Sequence, residues 1–219
     1  MYVQITTRCN MTCDHCCYSC TANGDDMSIE TFKKAIELVE NRYSDLTIGG
    51  GEPTIHRNFR EFIGLALAAD ISEDYIPWMA TNGKETETAL KLARLAKRGV
   101  VAVELSQDEY HDPIDYKVIN AFDKPIQYDW KDTGDRRGVR DITHQGRSEP
   151  IPAGRAADFV IVTEANKDEC VCPDLVIDPK GNIWACGCKK TQFGTLENPQ
   201  IPEDYEIFEC YESELQKTE

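Results

Sequence analysis

The chain contains no apolar run of the roughly 18–20 residues that a membrane-spanning helix needs. It also has no internal repeat and no low-complexity tract. The N-terminus leads directly into the β-rich stretch Tyr2–Thr6, without the basic and apolar segments of a secretory signal. At 219 residues, with an ordinary share of apolar side chains, the sequence predicts one compact cytoplasmic domain with a small appendage.

Positive charge is also scarce. The 24 Lys and Arg residues are outnumbered by 39 Asp and Glu residues, and the formal net charge is −15. This balance argues against broad, sequence-independent binding to nucleic acid, which requires clustered basic side chains against phosphates. The stretch 130–155 is locally different, with six basic and four acidic residues. We interpret it as a solvated loop, and a local basic mouth at a binding site is the alternative.

Cysteine is abundant by comparison, with ten residues in a chain that shows no export signal. Such thiols are typical of metal ligands in a reducing compartment rather than of a disulfide framework. Three of them, Cys9, Cys13 and Cys16, follow the first predicted strand with C-x3-C-x2-C spacing. They cannot easily pair with one another, because a disulfide requires specific Cα separations and torsions. We therefore interpret them as ligands of one inorganic centre.

Two kinds of centre are compatible with these three ligands, because thiolates bind both zinc and iron–sulfur clusters. A structural zinc ion would require a fourth ligand, which Cys17, Cys20 or His15 could supply. A cubane cluster held by three thiolates instead keeps one iron with an open coordination position. A substrate or cofactor can bind at that iron and receive an electron.

Predicted strands and helices alternate along the first half of the chain, which favours a parallel sheet with right-handed crossovers. After Tyr2–Thr6, strands are predicted at Leu46–Ile48, Tyr75–Ala80, Val100–Leu105, Ile126–Trp130 and Ala157–Thr163. Helices are predicted at Ile29–Asn41, Asn58–Asp70, Glu85–Arg98 and Asp115–Phe122. With so few units, we expect an α/β fold that forms a partial (β/α) barrel of parallel strands or an open curved sheet.

Three of the predicted strands are followed by polar or glycine-rich motifs. The motifs are Gly50-Gly51-Glu52-Pro53, Thr81-Asn82-Gly83 and Ser106-Gln107-Asp108. Ligands of parallel sheets bind at the carboxyl ends of the strands, where all three motifs and the cysteines lie. In kind and order the four motifs resemble the radical AdoMet (radical SAM) superfamily. A zinc site would not account for the three later motifs.

The resemblance implies an enzyme with two cofactors. Cys9, Cys13 and Cys16 would hold a [4Fe–4S] cluster, and S-adenosylmethionine (AdoMet) would chelate its open iron. Family members cleave AdoMet reductively to a 5′-deoxyadenosyl radical, which abstracts hydrogen from an unactivated C–H bond. We therefore expect an isomerase or an oxidoreductase that receives its electron from a donor such as flavodoxin or ferredoxin.

The resemblance also implies residue roles. The backbone of Gly50, Gly51 and Glu52 would meet the methionyl amino group. Asn82, Ser106 and Asp108 would hold the carboxylate side and the ribose of AdoMet, and His15 would lie against the adenine. Arg155 could contact a carboxylate of AdoMet or of the substrate. His111 is a candidate acid or base. For Asp108 and His111, ordinary surface positions are the alternative.

A second group of cysteines lies near the C-terminus. Cys170 and Cys172 precede a predicted hairpin of Leu175–Ile177 and Asn182–Ala185, Cys186 and Cys188 follow it, and Cys210 lies beyond. A hairpin that returns one C-x-C to another predicts a four-thiolate site. The spacing of Cys170, Gly181 and Cys186 resembles the twitch and SPASM extensions of radical AdoMet enzymes, which implies an auxiliary [4Fe–4S] cluster. Zinc is the alternative.

These patterns divide the chain into three predicted parts: a core over 1–130, a barrel-completing segment with an Arg-rich loop over 131–163, and a twitch-like extension over 164–219. The predicted substrate is a peptide or protein side chain. A nucleoside or a hypermodified viral DNA base is the alternative. A zinc-stabilised binding module without enzymatic activity is a third hypothesis. Cys17 and Cys20 have no place in the family pattern.

Overall fold

The computed structural model of the protein describes residues 1–43, 45–123, 134–140, 153–158 and 175–203. The central feature of these residues is one sheet of nine described strands with the order β5-β4-β3-β2-β1-β6-β7-β8-β9. The strands are β1 Tyr2–Thr6, β2 Thr47–Gly50, β3 Trp78–Thr81, β4 Ala102–Ser106, β5 Arg137–Arg140, β6 Val176–Ile177, β7 Asn182–Trp184, β8 Gln192–Thr195 and β9 Asn198–Pro199. Neighbouring strands pair in parallel from β5 through β1 to β6. From β6 to β9, neighbouring strands pair antiparallel.

Helices follow β1, β2, β3 and β4 along the chain. They are α1 Ile29–Arg42, α2 Phe59–Leu67, α3 Thr86–Lys97 and α4 Tyr116–Phe122. Helix α1 begins where the Ser28 hydroxyl accepts a hydrogen bond from the amide of Thr31, as expected of an N-cap residue. None of the described helices is long and apolar enough to cross a membrane.

The core lies between the helices and one face of the sheet. Val3 and Ile5 of β1 are fully buried and belong to the same apolar cluster as Phe32 of α1 and Phe62 of α2. The two rings lie 4.5 Å apart between centroids. Because side chains alternate along a strand, Tyr2 points to the opposite face. This alternation leaves that face of β1 for polar contacts and for the site described below.

The structure confirms the α/β fold with a largely parallel sheet. It corrects the predicted loop that follows β4 in sequence, because part of that stretch is a strand. Strand β5 lies in the stretch 131–155, which we predicted to be a loop. Its four residues pair with β4 in parallel, from Val103 opposite Arg137 to Ser106 opposite Arg140. The signal was missed because Arg and Gly are poor markers of a strand, and backbone pairing rather than side-chain pattern holds this edge.

The predicted strand at Ala157–Thr163 is wrong at its start, because Ala157 and Asp158 belong to a short 3-10 helix, Gly154–Asp158. Its remainder and the predicted strand Ile126–Trp130 lie outside the described residues.

The predicted C-terminal hairpin is present and continues the main sheet. Strand β6 pairs in parallel with β1, so that Tyr2 lies opposite Val176. Asp178 organises the turn between β6 and β7, because its carboxylate accepts hydrogen bonds from the Asn182 amide at 3.0 Å and from the Trp184 indole at 3.0 Å. Through the pairing of β6 with β1, the hairpin lies beside the strand that leads into the first cysteines.

Candidate active site

A cavity of about 170 Å³ opens at the carboxyl ends of β1 to β4. Its walls include residues from each of the four motifs that follow β1, β2, β3 and β4. The described lining residues are Tyr2, Cys9, Cys13, His15, Cys16, Cys17, Tyr18, Cys20, Gly49, Gly50, Gly51, Glu52, Pro53, Trp78, Ala80, Thr81, Asn82, Ser106, His111 and Arg140. Parallel pairing explains this convergence, because it brings the loops after successive strands to one edge.

The cysteine loop, residues 7–20, contributes its thiols to the cavity through local hydrogen bonds. The amide of Met11 donates to Cys9 Sγ at 3.4 Å, and the amide of Cys20 donates to Cys16 Sγ at 3.4 Å. The Asn82 side chain approaches Cys9 Sγ at 3.7 Å. Donors of this kind stabilise a thiolate, which is the form that binds metal.

The three thiols interact unfavourably with one another when ionised. Burial and the neighbouring Cys9 and Cys16 raise the pKa of Cys13 to about 11. A hydrogen bond from the Cys20 thiol, helped by backbone amides and by the Arg155 charge, lowers the pKa of Cys16 to about 5. A cationic metal centre removes such repulsion and deprotonates its ligands. The donor set therefore fits a thiolate-bound cluster.

The turn after β2 lies directly against the cysteine loop, and this closeness requires glycine. Gly50 has a φ of +149°, and a Cβ there would lie 2.3 Å from the Thr6 carbonyl oxygen. A Cβ on Gly51 would lie 2.2 Å from the Arg8 carbonyl oxygen. The Gly51 amide donates to Thr6 O at 2.8 Å, which joins the two loops.

Glu52 is buried and holds the turns after β2 and β3 together. Its carboxylate accepts hydrogen bonds from the Asn82 amide at 2.7 Å, the Thr81 hydroxyl at 2.9 Å and the Thr54 amide at 3.1 Å. Burial raises the pKa of Glu52, and these donors oppose the rise. The sequence analysis assigned no role to Thr54 or to Thr81 of the Thr81-Asn82-Gly83 motif, although buried acids are generally hydrogen-bonded by such donors.

Asn82 lies between the cysteine loop and the turn after β3. Its side-chain amide donates to Asn10 Oδ1 at 2.9 Å and accepts from the Lys84 amide at 3.0 Å. Its predicted contact with AdoMet stays a prediction. Its observed contacts indicate that it fixes the position of Cys9 relative to β3.

The structure places Asp108 behind the cavity wall and His111 on it. The Asp108 carboxylate is fully shielded, and His111 Nδ1 lies 2.6 Å from its Oδ1. Burial disfavours ionisation of Asp108, but the hydrogen bond and charge of His111 hold its pKa below the ordinary value. His15 and His111 line the cavity and lie next to the Asp108 carboxylate, which is not itself among the lining residues. The contact between Asp108 and the ribose stays a prediction.

The His15 ring packs at a tilt against its neighbours and completes this wall. Its ring centroid lies 4.9 Å from that of His111 and 5.0 Å from that of Tyr110. Burial lowers the pKa of His15, which favours the neutral imidazole. Ligand atoms of His15, Asp108 and His111 lie within 4.8 Å of one another, close enough for a cation. The short bond between Asp108 and His111 already satisfies one carboxylate oxygen without any ion.

Arg140 is a site residue that the sequence analysis missed. It ends β5 beside Ser106 and lines the cavity. Within the described part of the chain its guanidinium makes no hydrogen bond and no ion pair. By contrast, the Arg137 guanidinium is paired with Asp135 at 2.6 Å. Recognising β5 as a strand would have placed Arg140 at the same edge as the other motifs.

Arg155 lies against the cysteine loop and is not among the residues that line the cavity. Its guanidinium donates to the carbonyl oxygens of Cys13 and Cys20. The predicted contact with a carboxylate stays a prediction.

The C-terminal cysteines are described only in part. Cys186 and Cys188 bring their sulfur atoms to 2.7 Å from each other. Cys170, Cys172 and Cys210, which were predicted as further ligands, lie outside the described residues. Lys189, which follows Cys188 in the chain, donates a hydrogen bond from its Nζ to Gln4 Oε1. The same Nζ lies 4.8 Å from the centroid of the Tyr18 ring. The loop that carries Cys186 and Cys188 thus contacts both β1 and the cysteine loop.

A model of the Radical SAM superfamily matches residues 3–133, which is more than half of the chain. The protein belongs to the radical SAM superfamily. Radical SAM domains use a [4Fe–4S] cluster and AdoMet, in agreement with the thiols of the cavity. The predicted family is thereby confirmed, whereas the twitch or SPASM extension stays a prediction.

Individual radical SAM proteins resemble the chain more distantly. Mycofactocin maturase MftC of Mycolicibacterium smegmatis is 27% identical over 172 residues, or 76% of this chain. The chain spans only 38% of the length of that relative. The structure of BtrN in complex with AdoMet and 2-DOIA has a TM-score of 0.60 at 19% identity, covering 90% of this chain and 77% of BtrN.

A second solved structure, anSMEcpe with bound AdoMet and the Cp18Cys peptide, has a TM-score of 0.53 at 15% identity. The match covers 98% of this chain and 80% of that one. At these identities the two structures support the partial-barrel fold.

Replacing Glu52 by Ala tests whether this side chain connects the turns after β2 and β3. The change leaves the buried Asn82 amide and Thr81 hydroxyl without their acceptor, so we expect a loss of about 2–4 kcal/mol in the free energy of unfolding. Anaerobic urea unfolding measures the loss. The isosteric Glu52→Gln variant keeps one acceptor and should lose less than Glu52→Ala. Equal stability of parent and Glu52→Ala would contradict the assignment.

Proposed function

We propose that the protein is a radical SAM enzyme that isomerises or oxidises a peptide or protein side chain by abstracting hydrogen from an unactivated C–H bond. The observation that carries this proposal is the convergence of Cys9, Cys13 and Cys16 with the turns after β2, β3 and β4 on one cavity. The three thiols supply the ligands that a [4Fe–4S] cluster with one open iron requires.

The bound cluster and AdoMet would supply one-electron reduction and hydrogen abstraction, while the protein supplies binding, orientation and exclusion of water. Cys9, Cys13 and Cys16 would hold the cluster. The turn at Gly50 and Gly51 would receive the methionyl end of AdoMet, and Asn82 and Ser106 would contact its polar groups. His15 and His111 would form the wall beside the nucleoside. Asp108 would act through His111 by holding the imidazole in place.

Arg140 is the residue that we propose for the carboxylate of AdoMet. The Arg140 guanidinium has no described hydrogen bond or ion pair and lies on the cavity wall, which favours an anionic ligand. The Glu52 carboxylate does not pair with the Arg140 guanidinium, because it accepts hydrogen bonds from Asn82, Thr81 and Thr54 instead. Arg155 is occupied by backbone carbonyls.

Two comparisons favour a peptide substrate. The sequence relative is named a maturase, and one structure of the same fold holds a peptide beside AdoMet. The sheet also ends at β5 and β9 instead of closing on itself within the described residues. An open side of this kind admits a bulky substrate.

We also propose that the C-terminal thiols hold an auxiliary iron–sulfur cluster. The close approach of the Cys186 and Cys188 sulfur atoms supports a metal centre that both thiolates bind, since neutral thiols gain little from such contact. The contact of Lys189 with Gln4 and Tyr18 keeps this loop beside the barrel interior. Cys170, Cys172 and Cys210 are the proposed sources of the remaining ligands.

The first test replaces Cys9, Cys13 and Cys16 together by Ala. Because these thiols are the proposed ligands, anaerobic reconstitution should incorporate about four fewer irons per chain than in the parent. With dithionite and AdoMet, the parent should produce 5′-deoxyadenosine and the triple variant none. Production of 5′-deoxyadenosine by the triple variant would refute the proposed site.

The same triple variant tests the auxiliary cluster. If the C-terminal thiols hold a cluster, about four irons and their sulfide should remain per chain. A structural zinc site would instead leave one zinc ion and no sulfide. Adding Cys186→Ala should remove whichever metal remains. Absence of both metals from the triple variant would refute a second metal site.

Replacing Arg140 by Gln tests the proposed carboxylate contact. Loss of one charge-assisted contact should weaken AdoMet binding by about 10- to 100-fold, or about 1.4–2.8 kcal/mol. The iron content should stay at the parent value, because Arg140 makes no hydrogen bond and no ion pair with the cysteine loop in the described structure. Calorimetry with decarboxylated AdoMet is the ligand control. If both ligands weaken equally, Arg140 does not recognise the carboxylate.

A further inference from the structure

Arg155 makes three hydrogen bonds to the cysteine loop. Its backbone amide donates to the carbonyl oxygen of Cys16 at 3.1 Å. Its Nε donates to the carbonyl oxygen of Cys13 at 3.0 Å, and its Nη1 donates to that of Cys20 at 2.9 Å. One residue thus contacts two proposed cluster ligands and the end of the loop. The contacts span more than 130 residues of sequence.

Gly154 allows this approach. It has a φ of +57°, which favours glycine, and a Cβ there would lie 2.5 Å from the Cys17 carbonyl oxygen and 2.8 Å from that of Cys16. The following Ala156 is fully buried. The 3-10 helix Gly154–Asp158 is therefore packed tightly against the outside of the cysteine loop.

The cysteine loop needs such external contacts. Residues 9–20 form no helix and no strand, so their backbone lacks the regular hydrogen bonds of those elements. The carbonyls of Cys13 and Cys16 each accept one turn hydrogen bond inside the loop, from the amides of Cys16 and Ser19. Ordering an irregular segment also costs conformational entropy at every residue. The guanidinium has a rigid, planar set of donors, and two of them fix the distance between the carbonyls of Cys13 and Cys20.

We propose that Arg155, together with Gly154, is a positioning residue that holds the cysteine loop in its cluster-binding conformation. The inference rests on the proposed function, because it assumes that Cys9, Cys13 and Cys16 hold the cluster. It differs from a direct role in AdoMet binding. The Arg155 guanidinium binds the backbone of the loop, and the cavity is lined by Arg140 instead.

The test compares Arg155→Met and Arg155→Lys with the parent after anaerobic reconstitution. Met fills similar space without any donor, so its cluster should be lost to an iron chelator, bathophenanthroline disulfonate, at least ten times faster. Lys can reach one of the two carbonyls and should give an intermediate rate. For the chains that retain a cluster, the affinity for AdoMet should be within about twofold of the parent value.

Gly154→Ala provides a second variant that changes no charge and no side-chain donor. Its Cβ would collide with the carbonyls of Cys16 and Cys17, so it should also accelerate cluster loss. Arg137→Gln is the matched control. It removes an arginine that contacts Asp135 and the Ala121 carbonyl, remote from the cysteine loop, and should leave the rate of cluster loss unchanged.

The outcomes distinguish the inference from the function on which it rests. If the parent itself binds no cluster, the proposed function fails. If the parent binds a cluster and both Arg155→Met and Gly154→Ala lose it at the parent rate, the positioning role is wrong. Normal iron retention with weakened AdoMet binding in Arg155→Met would assign Arg155 to a carboxylate and would also overturn the inference.

Discussion

The parallel pairing of β1 to β5 is the constraint on which the rest of the structure depends. Parallel strands present all their carboxyl ends at one edge, so the loops that follow them must share that space. The cysteine loop, the glycine turn, Asn82, Ser106 and Arg140 meet there although they are spread over more than 130 residues. An antiparallel arrangement would have sent alternate loops to opposite edges.

The charged groups around this edge divide between scaffold and cavity. The Glu52 carboxylate and the Arg155 guanidinium are used within the protein, where each joins loops from different parts of the chain. The Asp108 carboxylate likewise forms a hydrogen bond with the His111 imidazole. Arg140 is left facing the cavity. Because buried charges require partners, Glu52 and Arg155, whose charged groups bind other parts of the protein, are the residues that shape the site. The less satisfied groups remain for a ligand.

Sequence reasoning performed well where a signal was local. The C-x3-C-x2-C spacing, the successive glycines after β2 and the alternation of strands with helices were each visible within short windows. They led to the correct family and fold class. Strand β5 was missed because Arg137, Gly138 and Arg140 carry no strand pattern, and its stability comes from backbone bonds to β4. Arg140 was missed for the same reason.

The sequence by itself determined which chemical groups are available and which strand ends carry them, because thiols, glycines and acids at fixed spacings are properties of the chain. Only the tertiary structure decided which of those groups face the cavity and which serve the scaffold. His111 stands in front of Asp108, and Arg155 binds the backbone of a loop that lies about 140 residues earlier. Such assignments depend on contacts between distant segments. The geometry of those contacts follows from sheet pairing and packing, which no short stretch of sequence contains.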